Sequence, residues 1–209
     1  MIRVLIADDH AIVREGLKRI LADDVELETI AEASDGFEAA RLAREHQPDI
    51  VLLDISMPGR SGIDALADIQ TASPGSRILI LSMHPEDQYA IRCLRDGADG
   101  YMTKESAPEM LLEAIRKVHG GGKYVSASLT EKLVTQLRPD HEDAAHEALS
   151  DRELQVLIMI GEGDTVSSIA DKLCVSVKTV STYRARILEK MSMKNNAQLM
   201  RYAIDKRLT

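Results

Sequence analysis

The stretch VLLDISMPGRSG, residues 51–62, decides the fold. With Ile50 in front, an apolar run, Ile50-Val51-Leu52-Leu53, delivers a carboxylate, Asp54, and then breaks at once into Ser, Pro and Gly. A short unbroken apolar run ending in turn residues is the pattern of a strand buried on both faces, as in a parallel sheet. Asp54 by itself stays ambiguous. A carboxylate before a turn can cap that turn, hold a metal or act as a nucleophile.

Outward from this stretch, strand and helix signals alternate over the first 120 or so residues. Strand-like runs are Val4–Ala7, Glu28–Ala31, Ile50–Leu53, Ile78–Leu81 and Gly100–Met102. Amphipathic segments of helical length lie between them, such as Ile12-Val13 with Leu17, Ile20 and Leu21, and Leu111-Leu112 with Ile115 and Val118. Asp35-Gly-Phe-Glu38 and Ser106-Ala-Pro-Glu109 read as capping boxes. Five strands alternating with five helices predict a doubly wound parallel α/β sheet of the flavodoxin-like kind, with its site at the carboxyl ends of the strands.

Gly120-Gly121-Gly122 closes this first domain, 1–122. Residues 123–147 read as a linker with a short helix around Leu129–Leu137, followed by the polar stretch RPDHEDAAHEA. A second domain, 148–209, opens on a capping box, Ser150-Asp-Arg-Glu153, with Leu149 and Leu154 placed as a hydrophobic staple. Helices to about Glu162, from about Ser167 to Leu173, from about Val177 onward, and from about Ala197 to Asp205 give a small all-α, four-helix unit. The tight break at Cys174-Val-Ser176 makes it helix-turn-helix-like.

Charge is divided along the same lines. The chain of 209 residues carries a net charge of −8; residues 1–147 hold a net −11 and residues 148–209 a net +3. Only the second domain therefore suits a polyanion. The two cysteines, Cys93 and Cys174, stand far apart and outside any Cys-x-x-Cys pair, which argues against a disulfide framework or zinc site and for a reducing cytoplasm. No apolar run approaches the roughly 18 residues of a membrane helix, and MIRVLIADDH reads as a first strand, not a leader.

Three carboxylates fall at strand ends, Asp8, Asp9 and Asp54. Like charges gathered at one sheet edge call for a cation, and hard oxygen donors suit Mg²⁺. Ser82 and Lys104 end the fourth and fifth strands at that same edge. Acids, a hydroxyl and an ammonium together suit phosphoryl transfer.

Taken together, Asp8-Asp9, Asp54 followed by Met57-Pro58 and Gly62, Ser82, Tyr101 and Lys104 resemble a response-regulator receiver domain. The resemblance implies that Asp54 accepts a phosphoryl group from the phosphohistidine of a sensor histidine kinase. It further implies that Asp9, helped by Asp8, holds Mg²⁺ with Asp54 and the Ser56 backbone carbonyl, and that Lys104 pairs with the phosphoryl group. Ser82 would swing toward that group and let Tyr101 turn inward as a switch. Ser82 stands where many receivers have Thr, and Glu105 where many have Pro. Aspartyl-phosphate hydrolases on a similar sheet have a second Asp two residues after the nucleophile; here that position is Ser56. Regulators that work without phosphorylation are expected to lack Asp9, Asp54 or Lys104, all of which are present.

Residues 148–209 resemble the LuxR-type DNA-binding domain of NarL/FixJ-class regulators, through Leu149-Ser-Asp-Arg-Glu153, Gly163, Ile169-Ala170, Leu173, Ser176, Lys178-Thr-Val180, Tyr183, Ile187 and Lys190. Val180, Tyr183, Ile187 and Met191 recur at helical spacing and are expected to face the core. Ser181, Thr182 and Ala185, with reach from Lys178, would read bases; Lys178, Thr179, Arg184, Arg186 and Lys190 would grip phosphates. The expectation is a cytoplasmic two-domain transcriptional regulator, not an ordinary enzyme. On phosphorylation it would form a homodimer and bind promoter DNA at paired half-sites.

Overall fold

The computed structural model describes residues 1–57, 62–83, 86–106, 108–126, 129–131, 145–206 and 208–209. They divide into two compact units, Met1–Leu137 and Arg138–Thr209.

In the first unit β1 (Ile2–Ala7), α1 (Ala11–Ala22), β2 (Leu27–Ala33), α2 (Gly36–His46), β3 (Ile50–Asp54), α3 (Gly62–Ala72), β4 (Arg77–Ser82), α4 (Glu86–Arg95), β5 (Gly100–Thr103) and α5 (Pro108–His119) follow in order. The five strands form one parallel sheet in the order β2-β1-β3-β4-β5. All five residues of β3 are buried, as its unbroken apolar run requires. On one face Val4, Ile6, Ile50, Leu52, Leu79 and Leu81 pack on Leu17 and Leu21 of α1 and Leu111, Ile115 and Val118 of α5. Each such side chain contributes about 1.5–3 kcal/mol by leaving water. The intervening residues Leu5, Val51, Leu53 and Ile80 are buried on the opposite face, because side chains alternate along a strand.

Local signals differ from the expectation in three places. At α2 the cap is Asp35, whose carboxylate accepts from Phe37 N and Glu38 N at 2.9 Å. The reciprocal half of the box is displaced by one residue: Glu38 Oε2 accepts from the backbone and hydroxyl of Ser34, both at 3.0 Å. Ile12 leaves the apolar stripe of α1 and is 88% exposed; Val13, Leu17, Ile20 and Leu21 already complete one face, and residue 12 sits about 100° away from Val13. Residues 145–148, the end of the predicted linker and the first residue of the second domain, form a 3₁₀ turn, Ala145–Ala148. Of the short helix expected at 129–137, residues 129–131 are helical and the rest lie outside the described residues, as do most of the polar stretch that follows, His84, Pro58 and Ala107 of the second predicted capping box.

Beyond α5 the chain turns back to the sheet. Tyr124 N donates to Asp99 O and Tyr101 N donates to Tyr124 O, both at 3.0 Å. This single bridge beside Gly100 covers part of the free edge of β5. A Cβ on Gly100 would lie 2.8 Å from both Tyr124 O and Leu79 Cδ1, so the close approach requires glycine.

The second unit holds α6 (Asp151–Gly161), α7 (Val166–Lys172), α8 (Val177–Lys190) and α9 (Asn196–Asp205). Its capping box at Ser150 and Glu153 is complete. Leu149 and Leu154 are both buried, and the core adds Val156, Leu157, Ile169, Val180, Ile187, Leu199 and Ala203. Among the described residues no helix is long and apolar enough to cross a membrane.

Candidate functional site

The register of the sheet assembles the first site. Ala7 lies beside Leu53, Asp54 beside Leu81, and Ser82 beside Thr103. Four strands therefore end at one edge, β3 and β4 on Asp54 and Ser82 and β1 and β5 one residue before Asp8 and Lys104. The crevice falls between β1 and β3, where the order of strands reverses and where open α/β sheets hold their ligands.

Lys104 Nζ lies 2.5 Å from Asp8 Oδ2 and 3.0 Å from Asp54 Oδ2. Both carboxylates are 1% exposed and Lys104 is 8% exposed. The carbonyl of Asp8 accepts from Arg14 Nη1 at 2.7 Å, which fixes the strand end against α1. Asp54 Oδ1 accepts the backbone N–H of Ser56 at 3.1 Å, so the carboxylate does form the turn that the sequence allowed. Its other oxygen faces Lys104. Ser82 and Tyr101 are both fully buried, Tyr101 with its ring turned into the protein.

The electrostatics follow from the charge count. One ligand atom each from Asp8, Asp9, His10 and Asp54 lies within 4.8 Å of all the others. Three carboxylates thus crowd together where the buried ammonium of Lys104 pairs with two of them, Asp8 and Asp54. Burial raises the Asp54 carboxyl above its ordinary value and Asp8 adds to this, while Lys104 pulls it back without cancelling it. Burial opposes charge on Lys104 too, but Asp54 and Asp8 outweigh it and hold the ammonium above its ordinary value. A pocket short of positive charge fits a divalent cation. The buried hydroxyl of Ser56, next to Asp54 and without a hydrogen-bond partner among the described residues, fits one as well.

The second site is α8. Ser176 caps it by accepting from Thr179 N at 3.0 Å, after a turn in which Cys174 takes a left-handed φ of 52°. Val180, Ile187 and Met191 are buried, and Tyr183 is half-buried. Lys178, Ser181, Thr182, Ala185 and Arg186 are exposed. The hydroxyls of Ser181 and Thr182 donate to the carbonyls of Val177 and Lys178 at 2.8 and 3.0 Å, which leaves their lone pairs outward as acceptors.

A receiver-domain family model matches residues 4–116, and a model of the LuxR family of bacterial regulatory proteins matches residues 147–203. This chain is a two-component response regulator. It belongs to the NarL/FixJ class, with a receiver domain and a LuxR-type helix-turn-helix, and it is a DNA-binding transcription regulator. It is 40% identical to the response regulator GacA of Pseudomonas aeruginosa over 98% of this chain and 96% of that one. It is likewise 40% identical to the oxygen regulatory protein NreC of Staphylococcus haemolyticus, over 99% and 98%. Among solved structures it is similar to RcsB of Salmonella enterica bound to promoter rprA with the phosphomimetic BeF₃⁻: TM-score 0.66, 27% identity, 96% of this chain and 97% of that one.

The regulator brings Asp8, Asp54 and Lys104 into contact and sets Asp9, through His10, against them. Ser82 and Tyr101 stand on neighbouring strands, with Leu81 between Met102 and Asp54. On the regulator's recognition helix the basic side chains divide. Lys178 and Arg186 are exposed without an ion-pair partner among the described residues. Arg184 Nε donates to Asn196 Oδ1, which ties α8 to the start of α9. Lys190 Nζ lies 2.6 Å from Glu153 Oε2, which also accepts Ser150 N at 2.7 Å. Sequence reasoning passed over two residues. His10 is a member of the acid cluster, and its only signal was adjacency to Asp9. Glu153, read as a cap, is also the buried partner of Lys190, a contact no local pattern shows.

Proposed function

We propose that Asp54 of this response regulator accepts a phosphoryl group from the phosphohistidine of a sensor histidine kinase, in the cytoplasm. The observation that carries this is the convergence of Asp54 and Asp8 on Lys104 at the crevice between β1 and β3. A carboxylate oxygen of Asp54 attacks phosphorus, the phosphorus–nitrogen bond to the imidazole breaks, and the imidazole nitrogen takes the bond's electron pair. Lys104, already beside the reacting oxygen, moves its charge onto the phosphoryl oxygens. Asp8, Asp9, Asp54 and the Ser56 carbonyl would hold Mg²⁺, which when bound supplies positive charge for the same oxygens. The regulator assists its own phosphorylation and dephosphorylation and is no enzyme beyond that.

Ser82 then hydrogen-bonds the phosphoryl group. The inward Tyr101 is the rotamer this switch assigns to the active form, so phosphorylation acts by changing its population. The shifted receiver, residues 1–122, forms a homodimer, and the linker, 123–147, passes the change to the DNA-binding domain, 148–209. A dimer binds paired half-sites in promoter DNA, about 34–36 Å or a multiple apart. Ser181, Thr182 and Ala185, with Lys178, read bases. Lys178, Thr179 and Arg186 hold phosphates; Arg184 and Lys190, held by Asn196 and Glu153, join them through their remaining N–H donors.

The test is to incubate the full chain with Mg²⁺ and an acyl phosphate and follow intact mass, sedimentation and promoter binding. A phosphoryl adduct is expected in the parent chain and absent in Asp54→Asn. No adduct would sink the phosphoryl transfer. An adduct without a change in dimerisation or DNA affinity would sink the coupling.

A further inference from the structure

One member of the acid cluster has no part in the transfer just described. His10 follows Asp9 directly and leads into α1, and its side chain is 66% exposed. Its backbone N–H donates to Asp8 Oδ1 at 2.9 Å, so the residue is anchored at the pocket while its ring remains at the mouth. Ring Nδ1 lies 2.7 Å from Asp9 Oδ1 and 3.5 Å from Asp8 Oδ1.

Those spacings have a chemical meaning. Ligands bound side by side on an octahedral cation at about 2.0–2.1 Å lie roughly 3 Å apart. The two nitrogen–oxygen distances bracket that value. An oxygen of Asp8 and an oxygen of Asp9 therefore each stand from the imidazole nitrogen at about the spacing of neighbouring ligands in one coordination sphere, and the ligand atoms of all three residues lie within 4.8 Å of one another. The pocket behind them is buried and holds more carboxylates than ammonium groups. The cap of α1 does not explain the ring's position, because His10 makes no side-chain capping bond to that helix.

We propose that His10 is a metal ligand that gives this site a preference for first-row transition cations, such as Mn²⁺, Co²⁺ or Ni²⁺, over Mg²⁺. This rests on the metal-binding reading of the pocket above. Mg²⁺ takes oxygen donors and keeps several waters, so it gains little from an imidazole. Imidazole suits Ni²⁺ and Co²⁺, and for mixed nitrogen and oxygen donors affinity rises from Mn²⁺ through Co²⁺ to Ni²⁺. The exposure of the ring allows both outcomes: it binds a transition cation and swings aside for Mg²⁺. His10 is then the residue that sets which divalent cation occupies the phosphoacceptor pocket when both are present.

Calorimetric titration of the full chain with NiCl₂ and, separately, with MgCl₂ tests this in the parent, His10→Gln, His10→Ala and Asp9→Asn. Both His10 variants are expected to lose about tenfold or more in Ni²⁺ affinity, a loss at least as large as that of a supporting contact to a metal ligand. Their Mg²⁺ affinity should stay within about threefold, and Asp9→Asn should weaken both ions. A visible absorption band of bound Co²⁺ should shift in His10→Gln, as a nitrogen leaves the coordination sphere. Equal changes for Ni²⁺ and Mg²⁺, or none for either, would show that His10 is only a partner of Asp9 and would overturn the proposal. Retention of Ni²⁺ binding in Asp9→Asn would place the ion elsewhere and overturn it as well. If the parent binds neither ion, the metal-binding reading itself fails; if it binds both and His10→Gln changes neither, that reading stands and this one falls.

Discussion

In the acid pocket the side chains come from the ends of four strands and are nearly all buried, whereas on the recognition helix they come from one run of fourteen residues and those proposed to read bases are exposed. The pocket gains its power from burial. Lys104 and two carboxylates meet within 3.0 Å with their side chains 8% exposed or less, so their attraction is little weakened by solvent. The helix works in the opposite regime. Its exposed charges, Lys178 and Arg186, are screened, individually weak, and useful only where a polyanion later excludes the solvent. Removing a group from the pocket should therefore disturb the fold of the free protein. Removing one from the exposed face should leave the fold unchanged and register only when DNA is present.

The largest expected effect is at Lys104. Lys104→Met leaves the Asp8 and Asp54 carboxylates buried without their ammonium, a change that costs about 3–5 kcal/mol. Hydrogen exchange of β3 amides in increasing urea would measure it. Adding Asp8→Asn should recover part of the loss, because one of the uncompensated charges is then gone. If Lys104→Met exchanges like the parent, the pocket tolerates bare charge and the contrast between the two regions collapses. On the helix the matching change is Thr182→Ala. It should leave urea unfolding unchanged and shift discrimination at one base pair by about 1–3 kcal/mol, read from competition with substituted half-sites.

The same division explains what could be read beforehand. The pocket was legible because β3 had to be a buried strand, its neighbours had to be parallel, and strand ends then had to meet; Asp8, Asp54 and Lys104 follow from topology. His10 was not legible, since its place depends on the angle at which the chain enters α1. Ile12 was misplaced for a related reason: apolar character alone does not say which residue begins the stripe of a helix. On the recognition helix, periodicity separated Val180 and Ile187 from Ser181 and Thr182. It could not show that Arg184 and Lys190 are already engaged, because Asn196 and Glu153 reach them from other helices.

That engagement makes the second unit sensitive to acid. The Glu153 carboxyl is opposed by burial, but Lys190 and the N–H and hydroxyl of Ser150 outweigh burial and hold it below its ordinary value of 4.5. A carboxyl lowered in the folded state contributes stability that is complete above its unfolded value and is lost as pH falls through the folded one. Melting of the second unit should therefore decline below about pH 4.5. Glu153→Gln should be less stable at pH 7 by about 1.5–3 kcal/mol, as for a hydrogen bond to a charged group, and its melting should change less with pH in that window. An unchanged acid limb would place Glu153 with the screened charges of the exposed face.

The smallest expected effects separate two arginines on the same helix. Arg186 is exposed and Arg184 is half-buried against Asn196. If Arg186 neutralises a phosphate, Arg186→Ala should weaken binding to every sequence alike and reduce the slope of log affinity against log salt by about 0.9. Its thermal stability should not move, because Arg186 makes no hydrogen bond or ion pair among the described residues. Arg184→Ala should do the reverse. It removes a bond between α8 and α9, so it should lower stability by about 0.5–1.5 kcal/mol while the salt slope stays as it was. Should both variants lose the same slope, Arg184 also meets a phosphate, through the N–H groups that Asn196 does not engage, and its bond to Asn196 would serve to position it.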